Sequence, residues 1–592
     1  MYCSQDLFQD RRTHSLFAQF LKRQLSQRSP EEFIRINATA SDWFNANGMQ
    51  REAFSHALAA GDETRAVEIM AADCDNIFSF EENASELVEK LPLELISRHP
   101  SIMLALIWNK LMTWQFETSA SMLKLTRSRI DELELAEEMS FELLQDLRHR
   151  IQHRELMLNM LADEMVRVES LASELIEEYE NAHPLLRGSL FSALLYSRRE
   201  QFKLDEIERL NTQAMEYLNR YGSELSLVYH HAIVGPSRFI AGRTHQAIQS
   251  MTEALKVAER ISGKGSSFAA VVALPLARFH YERDEIKQAR KLLELYLPHV
   301  NNKGFVDQAI AGWLTQARIY MTDGNLRSAF KMLDDADIFA QEHGFERLRL
   351  FTLAERLKWL LRQGNTDEVI RLGRKNNLRC PPTKVMPYPG VTSRDEARAM
   401  AWVRVAQAED RLIEALNLAK HWNLFFNSVD ALRSAVRWQV MITHLQLLSG
   451  DSRAALRTLR QAIFKSAPSG FRRVFIDEGP WLANLLREHT QLSSQHSDLG
   501  DSFIVELLER IGGIPSPLEE NNVETVICGS LNSRELDILK MVTAGLLNRE
   551  IGDKLGMTEG SVKWYLQQVY DKIGVRRRSM AAERARQLGI IP

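Results

Sequence analysis

A chain of 592 residues is too long for a single hydrophobic core and calls for several domains or a repeat array. With 45% hydrophobic and 26% charged residues and only 16 Pro and 28 Gly, the composition excludes a low-complexity chain and reads as folded and mostly helical. The net charge of −4 by itself gives no reason to expect nucleic acid, but from Leu531 to Pro592 eleven Lys and Arg face seven Asp and Glu, a local +4 that leaves −8 upstream.

Cys3, Cys74, Cys380 and Cys528 are scattered and form no cluster at metal-ligand spacing, so neither a disulfide framework nor a metal site is expected. The N-terminus has no basic region followed by an apolar one. The longest apolar run, Phe268 to Leu276, is short of the roughly 18 residues a membrane span requires and contains Pro275. A cytoplasmic chain without a membrane partner is expected.

In chain order, residues 30–189 read as helical hairpins, marked by Trp43, Phe44, Gly48, Ala53, Ala57, Gly61 and Ala66. Their register is open from about Ser85 to Ser189. From 190 to 490 the chain repeats: a turn residue is followed five positions later by a small or apolar residue and about four beyond by another. The series runs Gly242, Ala247, Met251; Asp284, Ala289, Leu293; Gly324, Ala329, Leu333; Gly364, Val369, Gly373; Asp410, Ala415, Ala419; Gly450, Ala455, Leu459. The turn residues stand 42, 40, 40, 46 and 40 apart. Small residues at such a period let paired helices approach, and each pair buries its face on the next. The all-α expectation is a superhelical array of helical hairpins, tetratricopeptide-like but with a period longer than the usual 34 residues. Cys380 to Val391, with four prolines, reads as a loop within it. Residues 491–526 read as a linker, with Gly512, Gly513, Pro515 and Pro517 toward its end.

Residues 527–592 read as a helix-turn-helix unit. The first helix has Asn532 as N-cap, Glu535 as its capping-box partner and Leu531 with Leu536 as the staple; Gly545 stops it. The second begins near Asn548 and ends at Gly556, and Thr558 starts the third. Ile551, Leu555, Val562, Leu566, Val569 and Ile573 form the core stripe. Lys563, Trp564 and Gln567 occupy the opposite side and are the candidate base-facing residues, because Lys suits guanine and Gln suits adenine in the major groove. Thr558 and Ser561 at the helix start, with Arg576, Arg577 and Arg578 beyond it, are the candidate phosphate contacts.

Leu531, Ser533, Arg534, Glu535, Gly545, Asn548, Glu550, Ile551, Leu555, Ser561, Val562, Lys563, Lys572, Gly574, Val575 and Arg578 together resemble the LuxR-type signature. The chain departs from it at Ser561, where Thr is usual, at Tyr565, where His is usual, and at Gln567, where a basic residue is frequent. With the array and the segment Gly470 to Gly479, the whole is similar to the large MalT-like regulators of the STAND type. In those an ATPase domain and a winged helix precede the array. Here residues 1–28, through Phe8 to Leu25, resemble only the end of the winged helix. No GxxxxGK[ST] loop occurs, since Gly263-Lys264 has Ala258 where the first glycine belongs, so no nucleotide site and no cofactor are expected. Either a longer reading frame was truncated or this is a true short form.

The resemblance implies a transcription activator that binds double-stranded DNA as a homodimer, contacts RNA polymerase and responds to a small-molecule or protein inducer through the array. The alternative is a non-catalytic scaffold or antagonist. His230-His231 lacks ligand partners and Gly235-Pro236-Ser237 completes no nucleophile elbow, so no catalytic residue is assigned.

Overall fold

The computed structural model describes residues 20–73, 91–492, 499–512 and 533–573, except 21, 138 and 301–303, together with 575, 578, 580, 581 and 585. Helices joined by short turns make up the described residues, with no strand among them. They divide into two units, residues 1–321 with 325–508, and residues 509–592 with 322–324.

All six turn residues of the repeat adopt positive φ: Gly242, Asp284, Gly324, Gly364, Asp410 and Gly450. Each closes a helix in the same way. The amide of the next residue reaches back five positions, as in Arg243 N–H to the Arg238 carbonyl at 2.9 Å and Asn325 N–H to the Tyr320 carbonyl at 2.9 Å. Asn325, Asn365 and Asp451 then cap the following helix by accepting from the amides of Ser328, Glu368 and Ala454. Turn and cap together allow each hairpin to reverse within four residues. The positions that follow are buried: Ala247, Met251, Ala289, Leu293, Ala329, Leu333, Val369, Ala415, Ala419, Ala455 and Leu459. Gly373 marks a close approach of two helices, because a Cβ there would lie 2.6 Å from Val405 Cγ1.

The same turn occurs at Trp114, Asp163 and Phe202, again at positive φ. One core runs without a break from Leu104 through Phe345 to Phe471, so position 190 marks no structural boundary. A second core under residues 350–445 contains the fully buried Trp402, Trp422 and Trp438. The proline loop is fixed by two of them: the indoles of Trp402 and Trp422 donate to the carbonyls of Cys380 and Val385 at 2.9 and 2.8 Å. Pro275 lies inside the helix Ser267–Glu282 instead of ending it.

The array turns back on itself. Helix Glu224–Ile240 touches helix Leu432–Leu448, and residues 469–478 cross hairpins far away in sequence. Arg472 N–H donates to the Glu282 carbonyl at 2.9 Å, the Tyr281 hydroxyl donates to Asp477 at 2.9 Å, and Lys358 pairs with Glu478 at 2.7 Å. One expectation is corrected here. Residues 499–512 are not linker but the helix Leu499–Gly512, which buries Phe503, Ile504 and Leu507 and pairs Glu506 with Arg472 at 2.8 Å. Apolar residues four apart supply the face it needs to pack. No described helix is long and apolar enough to cross a membrane.

Candidate nucleic-acid interface

The smaller unit contains three helices, Ser533–Thr543, Asn548–Leu555 and Glu559–Ile573. Gly545, at φ 86°, ends the first, and the amide of Leu546 bonds back to the Met541 carbonyl at 3.1 Å. The Glu550 carboxylate accepts from the Leu547 amide at 2.7 Å and so opens the second. Asn532 and Leu531, assigned to the start of the first helix, lie outside the described residues.

The turn into the third helix is tight. Gly556 is left-handed at φ 64°, ψ 38°, and the Met557 amide bonds to the Gly552 carbonyl at 2.9 Å. A Cβ on Gly552 would stand 2.7 Å from the Met557 carbonyl oxygen, so only glycine lets the chain fold back this closely. Sequence reasoning passed over Gly552, although a glycine four residues before the turn glycine is a visible sign of close backbone approach.

Ile551, Val562, Leu566 and Val569 are buried with Ile538, Leu539 and Val542; Leu555 is half-buried against them. With those four side chains fixed inward, the next residue round the helix must face out. Lys563 and Gln567 are both exposed, one turn apart and so about 6 Å along the axis. Thr558 is exposed where the helix begins, and its carbonyl accepts the Val562 amide at 3.1 Å. The side chains of Ser561, Trp564 and Ile573, and all of Arg576 and Arg577, lie outside the described residues.

Arg578, an expected phosphate contact, also has a place within the domain. Its guanidinium donates to Asn548 Oδ1 at 2.9 Å and to the Leu546 carbonyl, and so ties the end of the unit to the start of the second helix. It also stands near Tyr570, whose hydroxyl burial pushes up while the Arg578 charge draws it down. The two donations tie this guanidinium to the domain itself and leave its remaining N–H groups for the phosphate role expected of it.

Residues 133–492 match the family model of the MalT-like TPR region, which covers more than half of the chain. The chain belongs to that family. Residues 529–585 match the bacterial regulatory proteins of the luxR family, and the C-terminal unit is accordingly a LuxR-type helix-turn-helix domain of a DNA-binding regulator family. Among curated relatives, the serine/threonine-protein kinase PknK of Mycobacterium tuberculosis (strain ATCC 25618 / H37Rv) is 25% identical over 479 residues, 79% of this chain and 41% of that one. The HTH-type transcriptional regulator AlkS of Ectopseudomonas oleovorans is 21% identical over 465 residues, 75% of this chain and 50% of that one. The chain thus spans half or less of the length of these two relatives. Among solved structures, a Rap protein complexed with competence and sporulation factor aligns with a TM-score of 0.44 at 14% identity, over 63% of this chain and 99% of that one.

Proposed function

We propose that this chain is a non-enzymatic transcription activator in which the helical array receives an inducer and the C-terminal domain reads DNA in the major groove. The observation that carries the reading is the exposed pair Lys563 and Gln567, one turn apart on a helix whose back is pinned by Val562, Leu566 and Val569. Side chains so arranged on a helix that fits the groove can bond base edges, Lys to guanine and Gln to adenine. Trp564 is the third base-facing residue of the proposal; Thr558, Ser561, Arg576, Arg577 and Arg578 are its phosphate contacts. The domain acts as a homodimer on two half-sites and contacts RNA polymerase from there, in the cytoplasm.

The test is a footprint of the full chain on duplexes selected from a random library, repeated with Lys563→Ala. Protection of a defined two-part site, with relaxed preference in the variant, supports the proposal. If no duplex is enriched, the scaffold or antagonist reading takes its place.

A further inference from the structure

Toward the start of the array five helices, Pro100–Met112, Phe141–Leu161, Pro184–Glu200, Ile207–Tyr221 and Glu224–Ile240, surround a cavity of about 70 Å³. Its floor is carbon and sulfur: Met112, Met157, Met160, Leu161, Leu185 and Leu218 are all buried. Trp108, Leu225, Ser226 and Tyr229 also line it and keep part of their surface exposed, which marks the mouth. Protein interiors leave few voids larger than a water molecule, and one water needs only about 10–15 Å³. The fold therefore holds open a space that tighter packing of these same side chains would close.

The polar groups beside the floor are already engaged with one another. Ser189 donates to the Leu186 carbonyl at 2.8 Å and accepts from His153 Nε2 at 2.6 Å. The Ser192 hydroxyl is shared between the Gly188 carbonyl at 2.7 Å and His230 Nδ1 at 2.8 Å, and His230 Nε2 donates to Asn211 Oδ1 at 3.0 Å. Burial holds both imidazoles far below their usual range, His230 at about 3, so neither carries charge at neutral pH. A ligand rich in hydroxyls would lose its hydration here without gaining partners, a cost that excludes sugars from the floor. An apolar ligand loses nothing. Cavities with apolar walls stay dry and take up hydrocarbon, and the three methionines of this floor are unbranched and adjust to what enters.

Size narrows the class further. The space is about half of the ~150 Å³ that admits a benzene ring, so it suits a slim chain that enters end first through the mouth.

We propose that this cavity binds the end of an unbranched aliphatic chain, with any polar group of that chain left at the mouth beside Ser226 and Tyr229. The inference rests on the array being the inducer-receiving part of the chain, and it names the chemistry of the inducer.

The test is titration calorimetry of the full chain with pentane, 1-pentanol and pentanoate as probes and glucose and inorganic phosphate as controls. At least one alkyl probe gives saturable binding with a negative heat-capacity change, the mark of buried apolar surface. The probe that binds most tightly tells a hydrocarbon from an alcohol or an acyl source. Ser226→Phe, which plugs the mouth from a half-exposed position, weakens binding about tenfold or more without lowering the ligand-free melting temperature by more than a few degrees. Met160→Ala hollows out the floor and moves the preference toward chains about two carbons longer. The proposal is overturned by the absence of saturable binding with all three alkyl probes, by glucose binding that Ser226→Phe abolishes, or by unchanged affinity and chain-length preference in both variants. Binding is read without DNA, so failure here leaves the DNA-binding reading standing, and failure of that reading leaves the cavity standing.

Discussion

Replacing Gly552 with Ala tests whether the turn, and not only the helix it precedes, aims the DNA-reading side chains. Alanine is the better helix former, which by itself favours the variant by about 0.8–1 kcal/mol. Against this, the new methyl would meet the Met557 carbonyl oxygen at 2.7 Å, with the Met557 and Thr558 carbonyl carbons at 3.6 and 3.7 Å. These are backbone atoms, so the contact is relieved only by opening the turn. Overpacking of this kind costs roughly 1–3 kcal/mol, so the net destabilisation reaches about 2 kcal/mol. Local opening of the domain then becomes up to roughly thirty-fold more frequent. Hydrogen exchange of the full chain reads this directly as faster exchange of amides 548–570, with the array unchanged. Affinity for a selected duplex falls with it, since Lys563 and Gln567 are re-aimed. If Gly552→Ala exchanges no faster than the parent and binds equally well, the turn has slack and the argument from close approach is wrong.

Lys563→Ala and Gln567→Ala each lower affinity for the selected duplex by about 1–3 kcal/mol, with little change on unrelated sequence, as competition binding will measure. Arg578→Ala removes donations to Asn548 and the Leu546 carbonyl; it costs about 1.5–3 kcal/mol of domain stability by hydrogen exchange and lowers the salt slope of DNA binding by about one. Unchanged stability would contradict the tie, and an unchanged slope the phosphate role. The array loses stability in acid in two windows. His230, at about 3, and His444, at about 4, are kept neutral chiefly by burial. The unfolded chain therefore takes up protons first, and stability is lost as pH falls from about 6.5. For Glu282, Glu355 and Glu478 burial raises the pKa, but arginine and lysine partners outweigh it and hold each at about 2. Their contribution is present above about 4.5 and lost as pH falls through that window. Calorimetric melting across pH shows both losses, and combining His230→Gln with His444→Gln reduces only the first, to which His153 and His231, also lowered by burial, still contribute.

The array was legible where its turns carry glycine or aspartate. Gly242, Asp284, Gly324, Gly364, Asp410 and Gly450 announce a left-handed residue, and the alanines five positions later announce a close-packed face. Trp114 and Phe202 adopt the same conformation without a residue type that signals it, and Asp163 stands between them without a neighbouring glycine to set the register. The first third of the array was for that reason read only as helical. Helix Leu499–Gly512 had a readable face in Phe503 and Leu507, but the glycines and prolines just beyond it outweighed that signal.

In the C-terminal domain the apolar spacing was enough to set the exposed side of the third helix, because Val562, Leu566 and Val569 leave Lys563 and Gln567 no other direction. The tie from Arg578 to Asn548 was not legible, because three consecutive arginines look alike in sequence and only the fold brings this one to Asn548. The buried pair of Arg433 and Glu282 was invisible for a related reason. The superhelix brings the two together from positions more than 150 residues apart.

The most direct test of the central claim is selection of duplexes from a random library by the purified full chain, followed by binding to the selected and a scrambled duplex from 50 to 200 mM salt. The account predicts a selected site bound about a thousand-fold more tightly than the scrambled one, with both affinities falling linearly on logarithmic axes, and a difference that shrinks in Lys563→Ala while the slope persists. No enrichment, or binding indifferent to salt, would contradict it.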